Sequence, residues 1–523
     1  MGMYLNSIAP YAKYKALASS TYFVDKTALI NELNSVFGEE PQYICITRPR
    51  RFGKTVMANM IGAFFCKRVD SSSVFNKLMI AKSEDYKKHL NKYDVIYIDL
   101  SEVPEKCNCY EQYITRIIKG LKSDLIEAYP ELNLNTDKAV WDILSEIFEK
   151  TSGQKFVFVL DEWDALFHMP FIKDKDKGAY LLFLKALLKS KAYVEFTYMT
   201  GILPIAKYSG GSELNMFAEY SMTTMELYSE YFGFTDDEVD TIYKKYIKKI
   251  EETKVTREGL KLWYDGYQTA SGKRMYNPRS VVFALKNNQL SNYWTSSGPY
   301  DEIFYYIQNN IADVRDDLAF MISGEAIPAH IQEYAATSME LKTKDEIYSA
   351  MVVYGLLTYG NGMVSIPNKE LMDNFAVLLK KEESLGYVYR LAKASAKMMN
   401  ATLDGDTETP ILSYNSEVEL SAVVNLVYLS ARDKYRVERE DKCGQGYVDF
   451  IFYPIKEGDD CIILELKVDH TPDEAIKQIK NKQYALRFKG KLAETPKYTG
   501  RILAVGIGYS KDSKKHECKV EIL

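Results

Sequence analysis

A short basic loop near the start of the chain has the residue types that bind phosphate. It reads Arg48-Pro49-Arg50-Arg51-Phe52-Gly53-Lys54-Thr55. The apolar run 44–47 precedes it as a predicted strand, and a helix-like segment starts at Val56. Gly53 would let the backbone approach a phosphate, and the N-terminus of the helix would offer free N–H groups and a partial positive charge.

Two residues of this loop have side chains suited to a nucleotide. In a phosphate-binding loop the lysine reaches the β- and γ-phosphates and the following hydroxyl ligates Mg²⁺. Lys54 and Thr55 are therefore predicted to bind ATP and its metal ion. The usual pattern begins with glycine, but Arg48 stands at that position, so one backbone hinge is missing. The three arginines partly offset this, because a guanidinium pairs well with phosphate. An ordinary basic turn is the alternative interpretation.

A second segment farther along the chain favours a nucleotide site. The continuous apolar run 156–160 is typical of a strand buried on both faces of a parallel sheet, and it ends in Asp161 and Glu162. Open α/β sheets bind ligands at the carboxyl ends of their strands. Asp161 would hold Mg²⁺ through water and Glu162 would polarise the attacking water, although a helix cap also explains the two acids. A strand predicted over 194–201 contains Thr200, which would either sense the γ-phosphate or act as a cap.

Two predicted strands near the end of the chain, 447–452 and 461–468, carry residues suited to phosphodiester hydrolysis. Glu465 and Lys467 are two positions apart and project from one face of a strand, where Asp449 could meet them. The two carboxylates would bind Mg²⁺, which activates water, and the lysine would position or deprotonate that water. The alternative is a solvent-facing Glu-x-Lys on an edge strand. Burial would make these charges costly without a metal, which argues against that alternative.

Residues around this set extend it. A helix predicted over 417–431 offers Glu419 as a third carboxylate, with Glu417 as its competitor. A helix predicted over 475–484 carries Gln478, and Tyr484 ends it; both could hydrogen-bond near the site. Lysines of that helix could follow a phosphate backbone. A solvated charged face explains the helix residues equally well.

Bulk composition limits the classes of function. The chain has 523 residues and a net charge of −5, so several domains are expected and any contact with nucleic acid must rest on a local basic patch. No apolar run approaches the roughly 18 residues of a membrane helix, and the N-terminus has no secretion signal. The seven cysteines and five histidines are dispersed, which fits a reducing cytoplasm and predicts no zinc site.

The order of elements predicts three domains. Strands that alternate with helices indicate a parallel sheet in the first part of the chain. Further helices are predicted over 28–36, 110–129, 139–150, 179–191, 236–249, 256–264 and 278–287, a strand over 95–100, and a small hairpin over 356–366. The acidic stretch 403–410 is the clearest linker. The domains expected are a P-loop AAA-like ATPase (1–228), a helical, winged-helix-like lid region (229–402) and a nuclease-like domain (403–523).

The chain resembles the bacterial AAA-ATPase-like proteins that carry a C-terminal PD-(D/E)XK nuclease domain. The segments that match are Arg48–Thr55, Val24–Thr27, Asp161–Asp164 and Thr200–Leu203. The family's own loop also begins with Arg-Pro. Residues that match its nuclease signature are Asp449, Glu465, Lys467, Gln478 and Tyr484; Glu419 matches less closely. The resemblance implies an α/β fold with a P-loop parallel sheet, a helical and winged-helix middle, and a restriction-endonuclease-like αβ domain.

We therefore expect a cytoplasmic bacterial ATPase joined to a Mg²⁺-dependent nuclease, in which nucleotide binding orders the lid and gates cleavage. The expected ligands and partners are ATP, Mg²⁺ and nucleic acid, with DNA favoured, no membrane, and another copy of the chain as a candidate partner. One alternative is a nucleotide-driven DNA-binding or assembly ATPase whose nuclease fold is inactive. Another is a regulator with both sites degenerate. The intact residues that argue against degeneracy are Lys54, Asp161, Asp449, Glu465 and Lys467.

Overall fold

The chain divides into two compact units, Met1–Tyr306 with Pro328–Leu371 and Ile307–Ile327 with Met372–Leu523. A computed structural model describes residues 2–37, 42–205, 213–294, 324–331, 343–381, 435–443, 446–455, 459–484, 500–513 and 515–523, together with 314, 317, 318, 321, 322 and 341; for 376–381, 438–443, 446–447 and 515–516 it describes the backbone alone. The predicted linker 403–410 and helix 417–431 lie outside these residues. The domain boundaries at 228 and 402 stay predictions.

The helices of the described residues are α1 (Ala9–Ala18), α2 (Ala28–Asn34), α3 (Lys54–Phe65), α4 (Ser72–Phe75), α5 (Tyr86–His89), α6 (Tyr110–Ala128), α7 (Val140–Lys150), α8 (Asp174–Leu188), α9 (Asp236–Lys249), α10 (Arg257–Tyr264), α11 (Pro278–Asn287), α12 (Lys344–Val353), α13 (Lys369–Lys381) and α14 (Pro472–Asn481). The strands are β1 (Tyr43–Thr47), β2 (Asp94–Asp99), β3 (Phe156–Asp161), β4 (Val194–Gly201), β5 (Ala218–Tyr220), β6 (Tyr267–Gln268), β7 (Arg274–Met275), β8 (Ile327–Pro328), β9 (Thr358–Gly360), β10 (Met363–Ser365), β11 (Tyr435–Cys443), β12 (Gly446–Pro454), β13 (Cys461–Val468), β14 (Ile502–Ser510) and β15 (Lys515–Ile522). None of the helices described is long and apolar enough to cross a membrane.

The first unit is built on the parallel sheet that the sequence predicts. Its strand order is β2-β3-β4-β1-β5, and all neighbouring strands run parallel. Successive strand side chains point to opposite faces. Ile44 and Val157 therefore join the core beneath α1–α3, whereas Cys45 and Phe158 join the core beneath α6–α8. Burial on both faces explains why these strands read as continuous apolar runs.

Local capping signals set several helix ends. Thr235 and Glu238 form a capping box at the start of α9, and Asn277 accepts N–H groups of the first turn of α11. Both helices have the predicted bounds. The helix predicted over 179–191 instead runs from Asp174 to Leu188, because Asp176 caps its start by accepting the N–H of Lys173. Acidic residues in the first turn also favour this earlier start.

Helices and short hairpins follow the sheet in the first unit. α9, α10 and α11 share one apolar core, which includes Tyr246, Leu260 and Val281. β9 and β10 form an antiparallel hairpin whose turn uses the left-handed residues Asn361 and Gly362. The predicted helices and hairpin of this part are therefore confirmed within the described residues.

The second unit contains a five-stranded mixed sheet of order β11-β12-β13-β14-β15. β12 and β13 form the antiparallel pair that the sequence predicts. β14 runs parallel to β13, with α14 in the connection between them, and β15 returns antiparallel. The strands β11, β14 and β15 were not predicted. β13 is thus an interior strand, which decides how its acidic residues are buried.

Candidate functional site

The phosphate loop joins β1 to α3. Gly53 caps α3 with a left-handed backbone (φ = 90°), which glycine adopts without steric cost. Among the described residues, no side chain caps the first turn of α3, and a Cβ atom built at Gly53 would meet nothing within 4 Å. The N–H groups and the partial positive charge of this helix end therefore face open space, as anion binding requires.

Lys54 lies folded onto the loop. Its side chain is buried, and its ammonium donates hydrogen bonds to the carbonyl oxygens of Arg48 (3.1 Å) and Pro49 (3.2 Å). Both partners are main-chain atoms of the loop itself. The ammonium of Lys54 thus lies beside the position where a phosphate would bind. Phosphate oxygens would then replace the two carbonyl oxygens as its hydrogen-bond acceptors.

The structure gives Arg48 a different role from the one predicted. Its side chain is 1% exposed, and its guanidinium donates to the carbonyl oxygens of Thr47 (2.8 Å) and Tyr220 (2.7 Å). The guanidinium also lies 5.0 Å from the centre of the Phe232 ring. It is directed into the protein and ties the loop to β5, so the expected pairing of Arg48 with phosphate is corrected to a packing contact.

The other loop side chains differ in what they contact. Arg51 adopts a left-handed backbone (φ = 71°) and donates a hydrogen bond to the carbonyl oxygen of Tyr293. Phe52 is buried, with its ring edge-to-face against Tyr267 at a centroid distance of 4.8 Å. Arg50 is partly exposed and has no hydrogen bond or ion pair from its side chain within the described residues. Arg50 is therefore the loop arginine best placed to meet a phosphate.

Asp161 and Thr200 meet at the carboxyl ends of β3 and β4. Thr200 Oγ1 donates a hydrogen bond to Asp161 Oδ1 (2.5 Å), and Asp161 is fully buried. Burial raises the pKa of Asp161 to about 6; the bond from Thr200 opposes this rise, and the charge of Glu162 adds to it. The second oxygen, Oδ2, is buried and has no hydrogen-bond partner within the residues that the structure describes. Such an oxygen is costly to bury, so a cation at this point would be stabilising.

Glu162 and Thr55 border the same carboxylate. Glu162 is partly exposed and has a left-handed backbone (φ = 55°), and its N–H lies 3.4 Å from Thr200 Oγ1. The side chain of Thr55, in the first turn of α3, lies near Asp161 and lowers the pKa of that carboxyl. The fold therefore brings together four predicted site residues that lie on three separate segments of the chain.

The segment Val24–Thr27 has packing contacts rather than an open face. Lys26 pairs with Glu238 of α9 at 2.6 Å, and Asp25 accepts the N–H of Met79 at 2.7 Å. These bonds hold the start of α2 against two neighbouring segments. From the sequence alone this motif could either cover a nucleotide base or cap the sheet, and these packing bonds favour the second interpretation.

The C-terminal acids face each other on neighbouring strands of the second sheet. Phe450 pairs with Leu464 in the antiparallel β12–β13 ladder, and Asp449 and Glu465 are the next residues on their strands. β13 lies between β12 and β14, and Glu465 is 1% exposed. The alternative of a solvent-facing Glu-x-Lys on an edge strand is therefore wrong.

Glu465 lies at the centre of this set. Its Oε1 accepts hydrogen bonds from Lys467 Nζ (3.2 Å) and Gln478 Nε2, whereas its buried Oε2 has no hydrogen-bond partner among the described residues. Burial raises the pKa of Glu465 to about 7, the charge of Asp449 adds to the rise, and Lys467 opposes it. Asp449 accepts the N–H of Leu466 at 2.7 Å, which fixes one of its oxygens.

Helix α14 places Gln478 beside Glu465. Gln478 also donates to the hydroxyl of the buried Tyr484 (3.4 Å), so the amide bridges Tyr484 and Glu465. The helix packs closely on β14, where a Cβ atom at Gly506 would lie 2.4 Å from the carbonyl oxygen of Pro472. Glycine at that position therefore lets the helix approach the strand. The remaining predicted acid, Glu419, lies outside the described residues.

Two family models match the chain at the regions that contain these sites. The model described as predicted AAA-ATPase matches residues 11–209, and the model of the PD-(D/E)XK nuclease superfamily matches residues 420–514. The chain therefore joins an AAA-ATPase-like region to a C-terminal region that matches the PD-(D/E)XK superfamily. The predicted architecture is confirmed, and the parallel sheet and the mixed sheet described above are its two frameworks.

Solved structures with low sequence identity also align with this AAA-ATPase-like chain. The Walker-type ATPase PABY2304 of Pyrococcus abyssi is 13% identical, with 67% of this chain and 94% of that chain covered and a TM-score of 0.36. The ORC2 protein of Aeropyrum pernix in its ADPNP–ADP complexes is 14% identical, with 72% and 95% covered and a TM-score of 0.33. The comparison with curated proteins found no match.

The residues present at both sites fit a divalent cation with oxygen ligands. In the described parts of the chain, Asp161 and Glu465 each have one buried carboxylate oxygen without a hydrogen-bond partner. The side chains of Thr55 and Asp449 are the second oxygen donors. No group of three or more acidic, histidine or cysteine side chains comes together in the parts of the chain that are described. Mg²⁺ binds through one or two carboxylates and keeps several waters, so two protein donors per site suit it.

Residues that sequence reasoning did not assign also shape the nucleotide site. Trp163 and Asp164 follow the two acids and bind the segment after Thr200, and Gly201 makes room for the Trp163 ring. Glu370 anchors the residues beside Arg51 by accepting the N–H of Tyr293. The sequence did contain a signal for Trp163 and Asp164, because a tryptophan and a further acid come directly after the strand and its two acids. Nothing local in the sequence marks Glu370, whose partners are distant in the chain.

Proposed function

We propose that this chain binds and hydrolyses ATP with Mg²⁺ at its phosphate loop, and that its PD-(D/E)XK domain is a Mg²⁺-dependent nuclease that cleaves nucleic-acid phosphodiesters. The observation that carries the nuclease proposal is the Glu465 carboxylate, which is buried opposite Asp449 and has one oxygen without a partner in the described part of the chain. A buried pair of acids is costly unless a cation compensates it. A catalytic metal site accounts for that cost.

Each residue of the proposed nuclease site has a separate task. Asp449 and Glu465 would hold Mg²⁺, which when bound lowers the pKa of water and screens the phosphate charge. Lys467, 3.2 Å from Glu465, would position the attacking water and stabilise the charge that develops on the phosphate. Gln478 donates to Glu465 Oε1, so Oε2 would be the oxygen available as a ligand for Mg²⁺.

The proposed ATP site divides its tasks in a similar way. Lys54 would leave the loop carbonyls for the β- and γ-phosphates, and the free N–H groups of α3 would bind the phosphate chain. Thr55 and Asp161 would hold Mg²⁺, with Asp161 acting through water. Glu162 would orient the attacking water, and Thr200 would sense the γ-phosphate.

Nucleotide gating of cleavage is part of the proposal. The presence of two sites on one chain motivates it, and one path of hydrogen bonds supports it. Arg51 of the phosphate loop donates to the carbonyl of Tyr293, whose N–H is bound by Glu370 at the start of α13. The chain passes from the first unit to the second within α13. A change in the loop could therefore reach the segment that leads to the nuclease domain.

Cleavage of a mixed panel tests the nuclease proposal. Supercoiled, linear and single-stranded DNA and RNA would be incubated with Mg²⁺ or Mn²⁺, with and without ATP. Glu465→Gln keeps the shape of the side chain but removes the charge, so we expect at least about a hundredfold loss of cleavage. Glu474→Gln, an exposed glutamate on α14, is the matched control and should cleave as the wild type does.

The outcomes separate the two proposed activities. Equal cleavage with and without ATP would refute the gating and leave the nuclease intact. No cleavage by the wild type on any substrate, combined with ATP-dependent oligomers or ATP-dependent DNA binding, would favour a nucleotide-driven assembly protein with an inactive nuclease fold. A preference for DNA, a bacterial source and a cytoplasmic location remain predictions from the sequence.

A further inference from the structure

Two short segments at the carboxyl ends of β3 and β4 are joined residue by residue. Asp161 accepts the hydroxyl of Thr200, and the N–H of Glu162 faces the same hydroxyl. The N–H of Trp163 donates to the carbonyl oxygen of Thr200 (2.8 Å). The next residue along, Asp164, continues the pattern. We name the paired segments Asp161–Asp164 and Thr200–Leu203 the carboxylate clasp.

Asp164 makes the strongest contacts of the carboxylate clasp. It is 1% exposed, and its carboxylate accepts the N–H groups of Ile202 (3.0 Å) and Leu203 (2.8 Å). A carboxylate that accepts two backbone N–H groups forms charge-assisted hydrogen bonds, which are stronger than neutral ones. This side chain therefore determines the path of the backbone just after Thr200.

Trp163 fills the space between the two segments. Its indole N–H donates to the carbonyl oxygen of Leu203 (3.1 Å), and its own carbonyl accepts the hydroxyl of Tyr180 (2.8 Å). A Cβ atom at Gly201 would lie 2.3 Å from the indole ring. The indole ring therefore has room only because residue 201 is a glycine. This packing couples the positions of the two segments.

The carboxylate clasp also holds Glu162 in an unusual conformation. A left-handed backbone is rare for a residue other than glycine, asparagine or aspartate, and it persists only where the surroundings impose it. Here the residues on both sides of Glu162 are hydrogen-bonded to β4 or to the segment after it. The backbone of the proposed water-orienting residue is therefore set by its neighbours.

We infer that Asp164 is a positioning residue for ATP hydrolysis, which holds Thr200 and Glu162 in register with Asp161 through the carboxylate clasp. The inference rests on the proposed ATP site and extends it, because no phosphate or metal contact is assigned to Asp164. A loop that is free to shift after Thr200 would separate the γ-phosphate sensor from the metal-binding carboxylate. Binding of the α- and β-phosphates would be unaffected, since these contact the phosphate loop.

The test compares Asp164→Asn with the wild type and with Asp176→Asn. Asn presents an N–H₂ group where one carboxylate oxygen now accepts a backbone N–H. Asp176 is a matched control, because it is also buried in the first unit and accepts one backbone N–H at 3.0 Å, but in α8. Trp163→Phe is a second variant, which removes the bond to Leu203 together with part of the buried ring. Affinities for ADP and ATP would be measured by calorimetry with Mg²⁺, beside kcat and KM for hydrolysis.

We expect Asp164→Asn to bind ADP within about twofold of the wild type, to lose most of its preference for ATP over ADP, and to lower kcat by about tenfold to a hundredfold, as a misplacement of about 1 Å can do. Trp163→Phe should change the same two quantities less, and Asp176→Asn neither. If Asp164→Asn keeps the wild-type kcat and the wild-type preference for ATP over ADP, the inference is wrong and the proposed function still stands. A parallel loss of ADP affinity would also overturn it, since it would indicate a general structural role. A wild type that binds neither nucleotide would overturn the proposed function and the inference together.

Discussion

Glu370 makes the free energy of unfolding of the first unit depend on pH. Its carboxylate is fully buried at the start of α13. Both oxygens accept the hydroxyl of Ser280, and Oε1 also accepts the N–H groups of Tyr293 (2.6 Å) and Trp294 (2.9 Å). Burial nevertheless dominates and raises the pKa of Glu370 from 4.5 to about 7, because these bonds and the charge of Arg51 offset only part of the cost.

The sign of the effect follows from the protons bound in each state. Between pH 4.5 and 7 the folded state keeps the proton on Glu370 and the unfolded state loses it, so the free energy of unfolding falls as the pH rises through this window. Below it both states are protonated, and above it both are ionised. Each pKa unit corresponds to about 1.4 kcal/mol, so the step from 4.5 to about 7 amounts to about 3 kcal/mol of stability lost by pH 8.

Glu370→Gln isolates this contribution. The amide oxygen can accept the N–H groups of Tyr293 and Trp294 while the amide nitrogen donates to Ser280, so the variant should fold. Urea unfolding would be measured for both proteins from pH 4 to pH 8. We expect the free energy of unfolding of the variant, minus that of the wild type, to rise by about 3 kcal/mol between pH 4.5 and 8. Glu258→Gln, an exposed glutamate in the first turn of α10, should show no such rise. A difference that stays constant with pH for Glu370→Gln would refute the reasoning.

Three further predictions test the packing of the sites. Arg48→Met should lower the free energy of unfolding by about 2–4 kcal/mol, because two buried carbonyl oxygens lose their hydrogen-bond donor. Arg50→Met should leave the thermal stability unchanged and weaken ATP binding, as measured by calorimetry. Gly506→Ala should reduce nuclease activity without unfolding the domain, because the new Cβ meets a backbone carbonyl at 2.4 Å and displaces α14; wild-type cleavage would contradict this. Asp124→Ala should cost about 2–4 kcal/mol in urea unfolding, since its carboxylate accepts the N–H groups of residues 3–5.

Sequence alone determined the elements whose signals are local. The buried strand β3 was recognisable because a strand covered on both faces is apolar along its length. The starts of α9 and α11 were recognisable because Thr235 and Asn277 accept hydrogen bonds from the first N–H groups of these helices. The pairing of Asp449 with Glu465 and Lys467 followed from the two-residue period of adjacent strands. All of these signals depend on neighbours in the chain or on one predicted hairpin.

Other features depended on contacts between residues far apart in the chain. The loop pattern could not show that Arg48 turns toward Tyr220 and away from the phosphate side, because a side chain's direction depends on which strand lies beside it. The strands β14 and β15 escaped prediction, although β14 places β13 in the interior of its sheet. The two glycines of β14, Gly506 and Gly508, weaken the strand pattern and have a meaning only once α14 lies against them.

The candidate sites show the same division. The sequence determined which acids, hydroxyls and lysines are available, since side-chain chemistry is a property of each residue by itself. Only the tertiary structure decided that Asp161 and Glu465 each bury an oxygen without a partner among the described residues, and that Asp164 and Glu370 hold backbone next to the candidate phosphate loop and its acids. Burial and hydrogen-bond satisfaction are sums over all surrounding atoms, and those atoms come from segments that the fold alone brings together.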